Sequence, residues 1–264
     1  MTNQTYKTLE LSIQGNIAQI TLTRNKSLNA MNQAFFDDIH HVLKSLSLRT
    51  DLKAMIITGH GNGFSVGADL KELPIERNNG ELDLGKSLRE NFEPMVLGFK
   101  DLPFPTIAAV NGYAAGAGMG LMLACDFTIA AKSANFVQAF INIALVPDAG
   151  STYFMPSLIG RAKSTELMML GENISAQDAF NMGMIYKVVD DEELMSEAHA
   201  LAKKLSNKPT SALVLIRDLL DKSQENSLID QLSAEADAQK EAGKQDNFLE
   251  GVKAFNEKRE PNFK

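Results

Sequence analysis

Asp148 is a lone carboxylate in the apolar run Leu145-Val146-Pro147-Asp148-Ala149-Gly150-Ser151. Two chemistries are open to it. It can cap the helix that opens at Gly150-Ser151, or it can act as an acid or base in a dry pocket, its pKa raised by desolvation. Upstream lie two loops rich in glycine and alanine, Phe64-Ser65-Val66-Gly67-Ala68-Asp69-Leu70 and Asn111-Gly112-Tyr113-Ala114-Ala115-Gly116-Ala117-Gly118-Met119-Gly120. A loop between a buried strand and a helix presents free backbone N–H groups at the helix N-terminus. Two such donors converging on one carbonyl oxygen make an oxyanion hole. Tight turns for close packing would explain either loop taken alone.

Other motifs fit their chemistry less well. Gly80-Glu81-Leu82-Asp83-Leu84-Gly85-Lys86-Ser87 matches the Walker A pattern, but phosphate binding needs a preceding buried strand and no nearby anions. Here Glu76-Arg77-Asn78-Asn79 precedes the loop and two carboxylates sit inside it. Gly63-Phe64-Ser65-Val66-Gly67 matches a nucleophile elbow, with Asp190 and His199 in serviceable order downstream. That elbow needs a strand running straight into the serine, whereas Gly59-His60-Gly61-Asn62-Gly63 intervenes after Thr58. No histidine–carboxylate cluster has metal-ligand spacing, and no metal or separate cofactor is expected.

The positioning elements follow from periodicity. Leu9, Leu11 and Ile13 alternate, Gln14-Gly15-Asn16 supplies a turn, and Ile20 and Leu22 resume: a hairpin. Asn32 can cap a helix with apolar Phe35, Ile39, Val42, Leu43 and Leu46. Short buried strands are expected at Ala54-Met55-Ile56-Ile57-Thr58, Thr106-Ile107-Ala108-Ala109-Val110 and Phe127-Thr128-Ile129-Ala130. Residues 71–86 form a polar surface excursion, and a helix is expected over 93–99. Strand, glycine loop and helix thus occur twice, about fifty residues apart, without a literal repeat. Beyond Ser151 the pattern is helical, with Ser175 as a cap and amphipathic stretches at 192–205 and 212–222. The charged tail, 226–264, carries Leu228, Ile229, Leu232, Phe248, Val252 and Phe255 at helical spacing. The fold class is α/β: a core over 1–200 and a helical region over 201–264.

Composition narrows the function classes. The 264 residues are 44% hydrophobic and 22% charged, an ordinary globular mix. With 33 acidic against 26 basic residues the net charge is −7, which disfavours nucleic acid as the main partner. The longest apolar stretch, 112–125, is too short to span a bilayer. The N-terminus lacks the apolar core of a secretory signal, and the single cysteine, Cys125, cannot pair internally. A cytoplasmic protein without membrane partners is expected.

Together the two loops and the Pro147-Asp148-Ala149-Gly150 segment resemble the enoyl-CoA hydratase/isomerase (crotonase) superfamily. The resemblance extends from Ile20-Thr21-Leu22-Thr23-Arg24 and Leu28-Asn29-Ala30 to Gly251-Val252-Lys253-Ala254-Phe255 and Glu257-Lys258-Arg259. It implies a crotonase-like spiral of ββα units with a helical C-terminal trimerisation region. It also implies an acyl-CoA thioester substrate and an enolate oxyanion held by the N–H groups of Ala68 and Ala117. The family commonly has glycine where Ala117 stands, and proline where Asn25 follows Arg24. For coenzyme A, which enters as part of the substrate, the resemblance puts Arg24 and Lys26 near the phosphates. Backbone around Ser65, Ala68 and Leu70 would meet adenine and pantetheine. Phe255 and Lys258 would reach a neighbouring site within a homotrimer or a dimer of trimers.

The departures bear on the reaction. Family hydratases carry glutamates where this chain has Gly120 and Phe140, and neither residue can activate water or protonate carbon. Asp148 stands where several family isomerases carry their acid/base. The stretch Phe136-Val137-Gln138-Ala139-Phe140 with Val146-Pro147-Asp148, and the later Gly183-Met184-Ile185, resemble the isomerases of bacterial phenylacetate breakdown. These convert a ring-epoxide of phenylacetyl-CoA to an oxepin and also shift double bonds. The expectation is therefore an acyl-CoA isomerase with one aspartate, in a pocket dried by Phe140, Ile141 and Val146. An enoyl-CoA hydratase and a non-catalytic CoA-binding scaffold are the alternatives.

Overall fold

A computed structural model describes residues 2–73 and 83–263. The expected hairpin is formed by β2 (Leu9–Gln14) and β3 (Ile17–Leu22), and an edge strand not anticipated from the sequence, β1 (Thr2–Thr5), pairs with β2. Asn32 caps α1 (Gln33–Ser47) by accepting a hydrogen bond from the Phe35 N–H, and the chain returns as β4 (Ala54–Gly59), parallel to β3.

From here the strands go alternately to two sheets. β5 (Gly63–Ser65), β7 (Tyr113–Ala115) and β9 (Asn135–Val137) build the smaller sheet, while β6 (Thr106–Val110) and β8 (Phe127–Ala131) extend the larger. Each pair is followed by helix. After β5 come α2 (Leu84–Ser87), a π-helical turn over Leu88–Phe92, and α3 (Glu93–Lys100). After β7 comes α4 (Ala117–Leu123), and after β9 comes α5 (Ser151–Leu170), broken at Gly160. β10 (Ile174–Ser175) joins β9, and Ser175 caps α6 (Ala176–Asn181) as expected. β11 (Lys187–Val189) closes the larger sheet beside β8, giving the order β1-β2-β3-β4-β6-β8-β11. This is the spiral of ββα turns.

The central strands of the larger sheet are parallel and covered on both faces, which is why they read as unbroken apolar runs. Period-two alternation sorts their side chains. Ile56, Ile107, Ala109 and Ile129 face α7 (Leu194–Ser206), while Met55, Ile57, Ala108 and Ala130 face the main core. The division expected at 200/201 falls inside α7, whose Leu201, Ala202 and Leu205 belong to the core. The core therefore runs on to the end of that helix.

Three further helices complete the chain: α8 (Thr210–Lys222), α9 (Leu228–Gly243) and α10 (Asp246–Glu257). Arg217 ties α8 to the core. Its buried guanidinium donates to the Leu102 carbonyl and pairs with Asp126 at 3.3 Å. Beyond it the apolar stripe is bare, with Ile229 79% and Phe255 82% exposed.

The turns of the spiral pack backbone against backbone. A Cβ added at Gly118 would lie 2.0 Å from the Ser65 carbonyl oxygen, whereas one at Gly243 would meet nothing within 4 Å. Gly118→Ala should therefore cost about 1–3 kcal/mol of unfolding free energy by overpacking. Gly243→Ala should raise stability by up to about 1 kcal/mol through lower chain entropy. Denaturant titration of both variants checks this; equal effects would contradict the close approach.

Candidate active site

The two glycine loops converge. Met31 N–H donates to the Gly67 carbonyl (2.8 Å) and Asp69 N–H to the Met31 carbonyl (2.9 Å), so the pair brackets Ala68. In a parallel bridge of this kind the bracketed residue turns its own N–H to the opposite side. Ala117 is the first residue of α4, where an N–H has no partner within the helix. Gly67 (φ +80°) joins the two: a Cβ there would sit 2.9 Å from the Ala117 nitrogen. With glycine at 67, the backbone of the first loop approaches the Ala117 amide closely, as a pair of amides meant for one carbonyl oxygen would need. Gly116 N–H donates to the Val137 carbonyl (3.0 Å), fixing the second loop to β9.

Asp148 is not a helix cap. The cap position of α5 belongs to Gly150, in the left-handed conformation with no side-chain cap bond. Ser151 N–H donates to the Asp148 backbone carbonyl (2.9 Å), and Ala149 (φ +47°) and Gly150 (φ +79°) form the tight turn between them. An alanine with positive φ costs about 1 kcal/mol or more, and such strain gathers where a site needs it. The Asp148 Oδ1 is buried without a hydrogen-bond partner. Burial pushes the carboxyl up to about 6, the direction a carboxyl in a dry pocket takes.

A cavity of about 330 Å³ opens beside this turn, lined by Ala149 and Gly150 on one side and by Leu88, Phe92, Val96 and Leu97 on the other. That volume is at the small end for ligand sites. The apolar wall expected from Phe140, Ile141 and Val146 is thus placed differently. Phe140 is buried with its ring against Gly116, but Ile141 and Val146 are 45% and 78% exposed because the Ala139–Ile143 turn and the segment after it lie on the surface. The wall comes instead from the π-helical turn and α3. Its signal in the sequence was the apolar spacing of Leu88, Phe92 and Val96, directly after the polar excursion. A π-turn inside helical structure frequently marks a functional site.

Gly120 has a steric reason to be glycine: a Cβ there would fall 2.5 Å from both the Ala149 Cβ and its carbonyl oxygen. A glutamate at 120 does not fit unless the turn carrying Asp148 moves.

The residues expected at coenzyme A are scattered by comparison. Ser65 is fully buried, donating to the Asn29 carbonyl (2.9 Å) and accepting from Gly67 N–H (3.3 Å), which leaves no nucleophile at the elbow motif. A short strand does run into Ser65, contrary to expectation, so its burial is what rules out a nucleophile at the elbow motif. Asp190 pairs with Lys132. Arg24 is held by the Ala30 carbonyl, Asp69 (2.9 Å) and Glu72 (3.1 Å), so carboxylates already answer its charge. Lys26, in the turn Asn25–Ser27, and Leu70, in the first loop, are exposed, and Phe255 and Lys258 are exposed at the end of α10. Of the Walker-like segment, Gly80-Glu81-Leu82 lie outside the described residues; Asp83 caps α2. The Cys125 thiol donates weakly to the Leu121 carbonyl, and burial pushes its pKa up, fitting an inert apolar role. Among the described residues no group of histidine, cysteine or carboxylate could hold a metal ion, and no helix is long and apolar enough to cross a membrane.

A family model described as enoyl-CoA hydratase/isomerase matches residues 12–264. The chain is 39% identical over 251 residues to 1,2-epoxyphenylacetyl-CoA isomerase of Escherichia coli (strain K12), covering 95% of this chain and 96% of the relative. It is 38% identical over 258 residues to a Rhodobacter capsulatus protein provisionally named an enoyl-CoA hydratase, covering 98% of each. The crystal structure of an enoyl-CoA hydratase from Bacillus anthracis superposes with a TM-score of 0.91 at 30% identity, covering 98% of this chain and 99% of that one.

The raised carboxyl has a consequence for stability. A group with a higher pKa in the folded than in the unfolded chain favours folding at low pH, and that contribution is lost as pH rises through about 6. At pH 8 the charged Asp148 costs at most about 3 kcal/mol, less because it is partly solvated. Asp148→Asn should therefore be more stable than the parent at pH 8, with the gain shrinking towards pH 4. Urea titration at both pH values checks this; a stability difference that does not change between the two pH values would contradict a desolvated carboxyl.

Proposed function

The chain belongs to the enoyl-CoA hydratase/isomerase family, and we propose that it is an acyl-CoA thioester isomerase using Asp148 as its acid and base. The observations that carry this are a desolvated carboxylate, Asp148, whose Oδ1 has no hydrogen-bond partner, and the close approach of the two glycine loops at Gly67 and Ala117. The thioester oxygen would lie between the Ala68 and Ala117 N–H groups, with the acyl group in the cavity lined by Leu88, Phe92 and Val96. Asp148 takes the proton from C2, and the electron pair of that C–H bond moves onto the thioester oxygen as an enolate. Two amides aimed at this charge are worth about 10²–10³ in rate for each donor. The enolate re-forms the carbonyl, the double bond shifts from C3 to C2, and C4 takes the proton from Asp148. One carboxylate completes this cycle, because it holds between the steps the proton it removed.

Hydration needs more. A water must be activated and a carbon protonated, and the two positions for the family's glutamates are Gly120, blocked by Ala149, and Phe140. Hydratase names among the relatives keep that activity as the second reading. The E. coli relative's name supports a ring-epoxide of an aryl-acetyl-CoA as one substrate. Lys26, with Phe255 and Lys258 of a neighbouring copy, would hold the coenzyme A moiety. The bare stripe on α9 and α10 supports the homotrimer or dimer of trimers that would bring them there, a closed assembly from one repeated contact.

Absorbance of the conjugated thioester separates the readings. The protein should convert a 3-enoyl-CoA to the conjugated 2-enoyl-CoA and leave crotonyl-CoA unhydrated, and Asp148→Asn should lose about 10²–10⁴ of the rate. Loss of conjugation from crotonyl-CoA would make it a hydratase. Coenzyme A binding without turnover would make it a scaffold.

A further inference from the structure

Three buried polar atoms near the start of α5 have no hydrogen-bond partner within the chain: Asp148 Oδ1, Ser151 Oγ and Gln138 Oε1. Ser151 is 0% and Gln138 1% exposed, so neither reaches bulk water. A buried polar atom left unsatisfied loses its hydration without replacement, which destabilises the fold. The fold brings the residues that carry them to one place. Ser151 closes the tight turn by donating its N–H to the Asp148 carbonyl (2.9 Å). Ser151 and Met155 lie one turn apart on the same face of α5, and the Gln138 amide Nε2 donates to the Met155 sulfur (3.2 Å). Gln138 itself follows Val137, whose carbonyl holds the Gly116 N–H of the second amide loop. It therefore stands between the oxyanion loop and the helix that follows Asp148.

We propose that Ser151 and Gln138 are positioning residues that hold one water molecule against Asp148 Oδ1. The inference rests on the reading of Asp148 as the acid/base. The three atoms ask for what a water supplies: it donates to Gln138 Oε1 and to Asp148 Oδ1 and accepts from the Ser151 hydroxyl. Buried waters typically make about three such bonds. One carboxylate oxygen is then fixed by a hydrogen bond, and the other is free to exchange the proton with substrate. The water also stabilises the charged form against the burial that raises it.

The charged groups facing this carboxylate are few. Arg89, bonded to Asp83 at 3.4 Å, and Glu93 line the cavity across from Ala149. Neither α4 nor the turn over Ala139–Ile143 carries a titratable side chain. Tyr153, in the first turn of α5, lies instead in the field of Glu225 and Asp221.

Carbon-13 NMR of the full-length protein labelled at its aspartate carboxyls, with Asp148→Asn assigning the signal, reads the titration of Asp148 without substrate. Ser151→Ala and Gln138→Met should each move its midpoint upward by about half a pH unit or more. Ser151→Thr, which keeps the hydroxyl, should restore it. The acid limb of kcat/KM on a 3-enoyl-CoA should move in step. A midpoint unchanged in both variants, with only the melting temperature lowered, would overturn the proposal and leave the two residues as packing. Asp148→Asn retaining full activity would instead overturn the reading of Asp148, a separate result.

Discussion

Everything at the site depends on two backbone segments meeting with no side chain between them. A peptide N–H can stabilise charge only if nothing else occupies its direction, and a Cβ at Gly67 would lie 2.9 Å from the Ala117 nitrogen. The spiral makes the meeting possible. Each turn adds one strand to each sheet, so β5 and β7 lie side by side, and the loops that leave them are neighbours although about fifty residues apart in sequence. In the proposed site the two amide donors are then part of the scaffold. Their position is set by sheet hydrogen bonds and not by rotamers, and little reorganisation accompanies the development of charge.

The carboxylate is placed by strain. Ala149 and Gly150 both take positive φ, and the bend they make leaves Asp148 outside the cap position of the helix it precedes. The arrangement costs conformational energy at Ala149 and desolvation energy at Asp148, and the buried spiral around it must offset both. Such a cost is expected where activity needs a poised group and stability alone would choose another residue. The same turn fills the space before Gly120, so placing the aspartate and excluding a second carboxylate at 120 are one packing event.

Much of this was legible in the sequence. Alternation at Leu9 and Leu11 and the cap at Asn32 revealed the hairpin and first helix because both depend on local chemistry. The apolar strands were visible because parallel strands covered on both faces lose their polar alternation. The two amide loops could be located because glycine and alanine are the residues that a close approach permits. What was not legible was set by tertiary geometry. An aspartate just before a helix usually caps it, and only the positive φ of Ala149 shows that this one does not. Ile141 and Val146 read as an apolar wall, yet the turn over Ala139–Ile143 leaves them exposed in the single chain. The apolar side of the cavity beside Ala149, formed by Leu88, Phe92 and Val96, sits on a π-helical turn and the helix after it, whose offset a 3.6-residue period does not foresee.

The central claim is that one desolvated carboxylate carries a proton between two carbons of an acyl-CoA. It is tested most directly with a 3-enoyl-CoA deuterated at C2, converted in ordinary water, with the position of the label in the product read by NMR. Deuterium is expected at C4, diluted at most by protons shared with a water held at Asp148. Complete loss of the label to solvent from the first turnover, with only ordinary hydrogen at C4, would contradict it.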